Sequence, residues 1–161
     1  IRQEFINSIE DGGWENLVKA IKASELLLEA TLNGDAEKVA ELIEQCHSEN
    51  TSILQYNDEN SLACVISIAY YTAQNKYIMH RELPTGKGFA DMVFIPRKNV
   101  NSPAIIVELK HNKTSSAAIE QIKQKRYTDK INQFTGEILL VGINYDDDKG
   151  HTCEIEKILK E

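Results

Sequence analysis

The sequence has little of what marks secreted, membrane or zinc-finger proteins. Its three cysteines, Cys46, Cys64 and Cys153, are widely scattered with no C-x-x-C pair, which argues against a disulfide framework or a cysteine-built zinc site. They read as packing residues. No apolar run approaches the roughly 20 residues needed to span a bilayer, and Ile1 to Glu10 lacks the charged-then-apolar layout of a signal peptide. A cytoplasmic protein is expected. A phosphate-binding G-x-x-x-x-G-K-[ST] loop is absent: Lys87 stands in Gly86-Lys87-Gly88, a glycine turn between two expected strands. Asp146 to Asp148 lacks the later Glu that a calcium loop requires. Repeats and low-complexity segments are also missing. The chain starts at Ile1 without Met, on an acidic helical stretch, as a piece of a longer polypeptide would.

What is present is an ordinary globular composition of 161 residues with an uneven charge. The net charge of −7 argues against indiscriminate coating of nucleic acid, since affinity for phosphates comes largely from Lys and Arg releasing counterions. The average conceals a division. Residues 1 to 60 hold 13 acids and 4 bases, whereas residues 61 to 161 hold 12 acids and 14 bases, so a polyanion would be met by the second part. Lys110, Lys113, Lys123, Lys125, Arg126 and Lys130 crowd one segment of it.

Hydrophobic periodicity predicts two helices over 14–47, with Leu17, Val18 and Ile21 and then Val39, Ala40, Leu42 and Ile43 as apolar stripes. They break at Asn33-Gly34-Asp35, with Asp35 as N-cap of the second. A third helix is predicted from Glu59 to Gln74, carrying Leu62, Val65, Ile66 and Ala69 inward. Strands follow at Tyr77–Leu83, Phe89–Ile95 and Ala104–Lys110, an antiparallel meander. Next come a helix over Ser115–Lys125, continuing after a kink to Phe134, a buried strand at Ile138–Ile143 and an edge strand at Thr152–Ile155. This order predicts an α/β fold: a core of helix, three-strand meander, helix and strands, with an N-terminal helical extension.

Chemistry concentrates in Pro103-Ala-Ile-Ile-Val-Glu-Leu-Lys110, an interior strand ending in two opposite charges. Side chains of a strand alternate faces, so Ile106, Glu108 and Lys110 share one. If the preceding loop sets Ile95 across from Ala104, antiparallel register places Val93 opposite Ile106 and Asp91 opposite Glu108, with Cβ atoms roughly 5 Å apart. Facing carboxylates are destabilising unless a cation lies between them, and a hard divalent ion such as Mg²⁺ meets that need. Lys110 supplies a point charge for a phosphate or a nearby hydroxide. A structural ion-pair cluster is the competing interpretation. His80 and His111 flank these strands and read as surface or packing residues, and Tyr70-Tyr71 as core or interface anchors.

Gly88-Phe-Ala-Asp91 together with Ile-Ile-Val-Glu108-Leu-Lys110 resembles the motif of the PD-(D/E)xK nuclease superfamily, and the element order resembles its restriction-endonuclease-like core. Ala90 precedes Asp91 where the motif has proline. Tyr70-Tyr71, Leu83-Pro-Thr-Gly-Lys-Gly88, Gln121-Ile-Lys and Leu140-Val-Gly-Ile-Asn-Tyr145 resemble bacterial members whose nuclease-like domain follows an AAA-ATPase-like domain. The resemblance spans about Tyr56 to the end. It divides the chain into residues 1–52, a helical extension or the end of a preceding domain, and residues 53–161, the nuclease-like domain.

The resemblance implies a Mg²⁺- or Mn²⁺-dependent nuclease acting on nucleic acid, DNA ahead of RNA, with Asp91, Glu108 and Lys110 in the active site. It adds Glu59 as a further metal ligand, and Gln121 and Tyr127 beside the scissile phosphate. Six residues turn a helix by about 600°, so Gln121 and Tyr127 share a face only if the helix breaks between them. The alternative of a different class is a catalytically silent module that binds nucleic acid or protein beside an ATPase domain.

Overall fold

A computed structural model describes residues 13–50, 59–84, 89–124, 131 and 136–160, with residues 13, 14, 16, 50, 59–61, 82–84, 89–91 and 160 described through their backbone alone. Helix α1 (Gly13–Asn33) and helix α2 (Ala36–Asn50) are separated by a tight break. Gly34 supplies φ +74°, a left-handed conformation that costs glycine little, and Asp35 Oδ1 accepts the Lys38 N–H at 3.1 Å, the expected N-cap. Helix α3 (Glu59–Ala69) is shorter than its periodicity predicted, because the chain tightens into a 3₁₀ turn over Tyr71–Asn75. Tyr70 at that junction is fully buried and shares a 2.7 Å hydrogen bond with Thr31 of α1, while Tyr71 points outward.

Strands β1 (Tyr77–Pro84), β2 (Phe89–Pro96) and β3 (Ala104–His111) form the expected antiparallel meander. Helix α4 (Ser115–Gln124) then crosses over, so that β4 (Gly136–Asp146) lies parallel to β3, and β5 (Gly150–Lys160) returns antiparallel as the edge. The sheet order is β1-β2-β3-β4-β5. Strand β5 runs well past the four residues predicted, its whole length paired with β4. Among the described residues, no helix is long and apolar enough to cross a membrane.

Each sheet face has its own core. On one face Met92, Phe94, Ile105, Val107, Leu109, Leu139, Val141 and Ile143 pack with Leu27, Leu28, Val39, Ile43, Leu62 and Ile66 of α1, α2 and α3. The other buries Val93, Ile106, Ile138 and Leu140 beneath Ile119 and Ile122 of α4. The expected stripe on α1 is displaced. Leu17 is exposed and Val18 and Ile21 are half-buried, because the C-terminal half of α1, not its start, lies over the core. The cysteines form no disulfide, and burial pushes the Cys153 thiol up to about 12, as suits a packing residue.

Candidate active site

Strand β3 is the central element of the site. Its first six residues are buried, as an interior strand covered on both faces should be, and the charged fifth is no exception: Glu108 is only 1% exposed. Such a carboxylate is costly unless a cation sits beside it. Lys110, two residues on and therefore on the same face, supplies one, its Nζ donating to Glu108 Oε1 at 3.0 Å. The same Nζ donates to the Leu109 carbonyl at 3.0 Å. A carboxylate oxygen and a main-chain oxygen thus converge on a single positive charge, and two hard oxygen donors of this kind suit a divalent cation.

The far side of β3 explains how a helix comes to cover this face. Gly142 of β4 pairs with Glu108, and a Cβ built on it would stand 2.4 Å from the Ser115 carbonyl at the start of α4. Only glycine allows that approach. The connection is held from both sides. Buried Asn144, paired with Lys110 on β4, accepts the Lys113 N–H at 2.9 Å; Asn112, in a left-handed conformation at φ 52°, donates its side-chain amide to Asp147 at 2.8 Å. Thr114 Oγ1 then caps α4 by accepting the Ala117 N–H at 3.0 Å. The Ser116–Glu154 hydrogen bond and the Lys123–Glu156 ion pair tie the outer side of α4 to β5.

The register predicted for β2 and β3 is observed over Met92↔Val107, Val93↔Ile106 and Phe94↔Ile105. Counted one residue further, it sets the backbone of Asp91 across from Glu108. The side chains of Asp91 and of Glu59, the first residue of α3, lie outside the described residues, as do Lys87, Tyr127, and Lys125, Arg126 and Lys130 of the basic segment. The expected kink toward Phe134 lies there too. Gln121 is half-buried on α4, next to Ile122, which packs on the face that carries Glu108. His111 belongs to the opposite face, stacked on Tyr145 at 5.9 Å and bonded to Asp147 Oδ1 at 3.0 Å, and His80 is a half-buried residue of β1 opposite Val93. Both fit the packing reading.

Sequence reasoning overlooked Gly142 and Asn144, which position the cover of the site. The signal was present, since a glycine and an amide interrupt the apolar run of β4 directly beside the charged positions of β3. It also overlooked a second polar cluster on the α1–α3 face, formed by Glu44 and His47 of α2 with His151 of β5. Burial acts to raise the Glu44 carboxyl, but the hydrogen bond and charge of His151 outweigh it and hold the group low. Burial also lowers His151, against the opposing pull of Glu44. The pair is therefore an ionised carboxylate beside a neutral imidazole.

No curated protein matches the chain. A family model described as the PD-(D/E)XK nuclease superfamily matches residues 57–155, a span that contains α3, reaches the middle of β5 and includes Asp91, Glu108, Lys110 and Gly142. The mixed five-strand sheet flanked by helices agrees with the restriction-endonuclease-like fold of that superfamily, whose nucleases use divalent metals on nucleic-acid substrates. On the match over most of its length and on this architecture, the chain belongs to the PD-(D/E)XK nuclease superfamily.

Proposed function

We propose that the sheet face beneath α4 hydrolyses nucleic-acid phosphodiesters with Mg²⁺ or Mn²⁺ as cofactor. The observation that carries the reading is the convergence of Glu108 Oε1 and the Leu109 carbonyl on the Lys110 ammonium, each at 3.0 Å. Asp91 and Glu108 are the carboxylate ligands, the Leu109 carbonyl adds a third oxygen, and Glu59 at the start of α3 completes the set. Held by these residues, a divalent ion would supply Lewis-acid polarisation of the phosphate and of a nearby water. Lys110 keeps a fixed positive charge where negative charge develops in an in-line displacement, a task suited to a compact ammonium. Gln121 and Tyr127 orient the scissile phosphate.

Residues 53–161 are the nuclease-like domain in this reading, and residues 1–52 a helical extension or the end of a preceding domain. An AAA-ATPase-like domain partners it in the full-length protein. Support for that association comes from the segments at Tyr70-Tyr71, Leu83 to Gly88 and Leu140 to Tyr145. DNA is the preferred substrate over RNA.

The test is cleavage of labelled single- and double-stranded DNA and RNA with Mg²⁺, with Mn²⁺ and with chelator, comparing the parent chain with Lys110→Ala. Metal-dependent cleavage that the substitution removes, with the circular dichroism spectrum unchanged, supports the proposal. Cleavage that survives chelation, or that ignores the loss of Lys110, contradicts it.

A further inference from the structure

The second polar cluster has a donor set unlike that of the nuclease face. Glu44 and His47 are three residues apart on α2, a spacing that brings side chains onto one helical face. That face meets the start of β5, where His151 follows Gly150. One potential ligand atom from each of Glu44, His47 and His151 lies within 4.8 Å of the other two. Glu44 Oε2 accepts the His151 main-chain N–H at 3.1 Å and contacts Nδ1 of the ring at 2.5 Å.

The surroundings favour a built site over a chance encounter of surface groups. The His47 residue is 6% exposed and the His151 ring is wholly buried, whereas Glu44 is half open to a groove along α2 and β5. Tyr145 backs both rings, edge-on to His47 at 5.3 Å and tilted against His151 at 4.8 Å, so the imidazoles have fixed orientations. Gly150 has φ +76°, and a Cβ there would stand 2.8 Å from Glu44 Oε2, so the residue allows both the turn and the close approach of the carboxylate.

We infer that Glu44, His47 and His151 form a binding site for a transition-metal ion of the Zn²⁺ class, joining α2 to the edge strand. Two imidazole nitrogens and one carboxylate oxygen are the ligand types of zinc, and three protein ligands leave a fourth position for water from the groove. Mg²⁺ prefers an all-oxygen octahedral set and is a poor match for this cluster. On binding, the ion takes the place of the Glu44–His151 hydrogen bond, and the single ring proton of the neutral His151 moves to its other nitrogen, so that no proton is lost. The site lies on the opposite sheet face from Glu108 and its occupancy does not depend on the nuclease reading.

Calorimetric titration of the 161-residue chain with Zn²⁺ tests the inference, using Glu108→Gln, which disables the carboxylate site on the other face, alone and combined with Glu44→Gln or with His47→Gln. The expected result is one Zn²⁺ site retained in Glu108→Gln and weakened at least about tenfold in each of the other two, since a direct ligand matters no less than its supporting groups. In Glu108→Gln, Co²⁺ should give the intense visible absorption of a four-coordinate ion, a readout that requires no change to the cluster itself. Zinc binding that persists at full strength in both combined variants overturns the inference, as does loss of binding in Glu108→Gln alone. A pale six-coordinate Co²⁺ spectrum also overturns it.

Discussion

The two faces of the sheet bury polar groups in opposite ways. Beneath α4 a buried carboxylate is balanced by an ammonium from its own strand, which also donates to the Leu109 carbonyl oxygen. Beneath α2 a carboxylate is held by a neutral imidazole from another element, with a second imidazole and a phenol ring packed alongside. The first arrangement is made by two residues two apart on one strand, so little besides β3 is needed to form it. The second exists only when α2 docks on β5. Donor chemistry differs accordingly: a hard oxygen set on one side, a mixed nitrogen and oxygen set on the other.

Substitutions can separate the faces, and the largest effect is expected on chemistry. Lys110→Ala should lower the rate of metal-dependent cleavage by about 10²- to 10³-fold, the scale for losing one preorganised charge-stabilising group. Single-turnover cleavage measures it, and the Zn²⁺ titration should be unchanged in the same variant. If both respond together, the two faces are not independent.

Next in size is Gly142→Ala. The new Cβ meets the Ser115 carbonyl and the side chains of Ala118 and Ile119, so α4 must shift outward. A cost of about 1–3 kcal/mol is expected from overpacking, read by urea denaturation, with reduced cleavage because the cover of Glu108 moves. Gly150→Ala is the matching change on the other face. Its left-handed backbone should cost roughly 1–2 kcal/mol and loosen the Glu44 contact while leaving cleavage intact. Lys123→Ala should have the smallest effect, below about 1 kcal/mol, because its partnership with Glu156 is largely exposed to solvent.

The residues of β3 were legible because a charge in an interior strand is conspicuous: Glu108 and Lys110 could be assigned to one face from alternation alone, and the Val93↔Ile106 register followed from the loop length. Helices α2 and α4 were legible from their apolar spacing and from Asp35 as a cap, whereas on α1 the helix was legible but its buried stripe was not, since Leu17 faces solvent. The length of β5 was not, since on an edge strand half the residues face solvent and the apolar alternation is diluted by Glu154, Glu156 and Lys157. The early end of α3 was hidden as well, because Tyr71 to Gln74 could equally continue a helix, and the turn is set by burial of Tyr70 against Thr31. Glu44, His47 and His151 were illegible for a different reason: 104 positions separate His47 from His151 along the chain, and only the docking of α2 brings them together.

The central claim is that Asp91 and Glu108, on neighbouring strands, share one divalent ion. Calorimetric titration with Mn²⁺ of the parent chain, Asp91→Asn and Glu108→Gln tests it most directly. A single Mn²⁺ site that both substitutions eliminate is the predicted result. Mn²⁺ binding that Asp91→Asn leaves at full strength would contradict it.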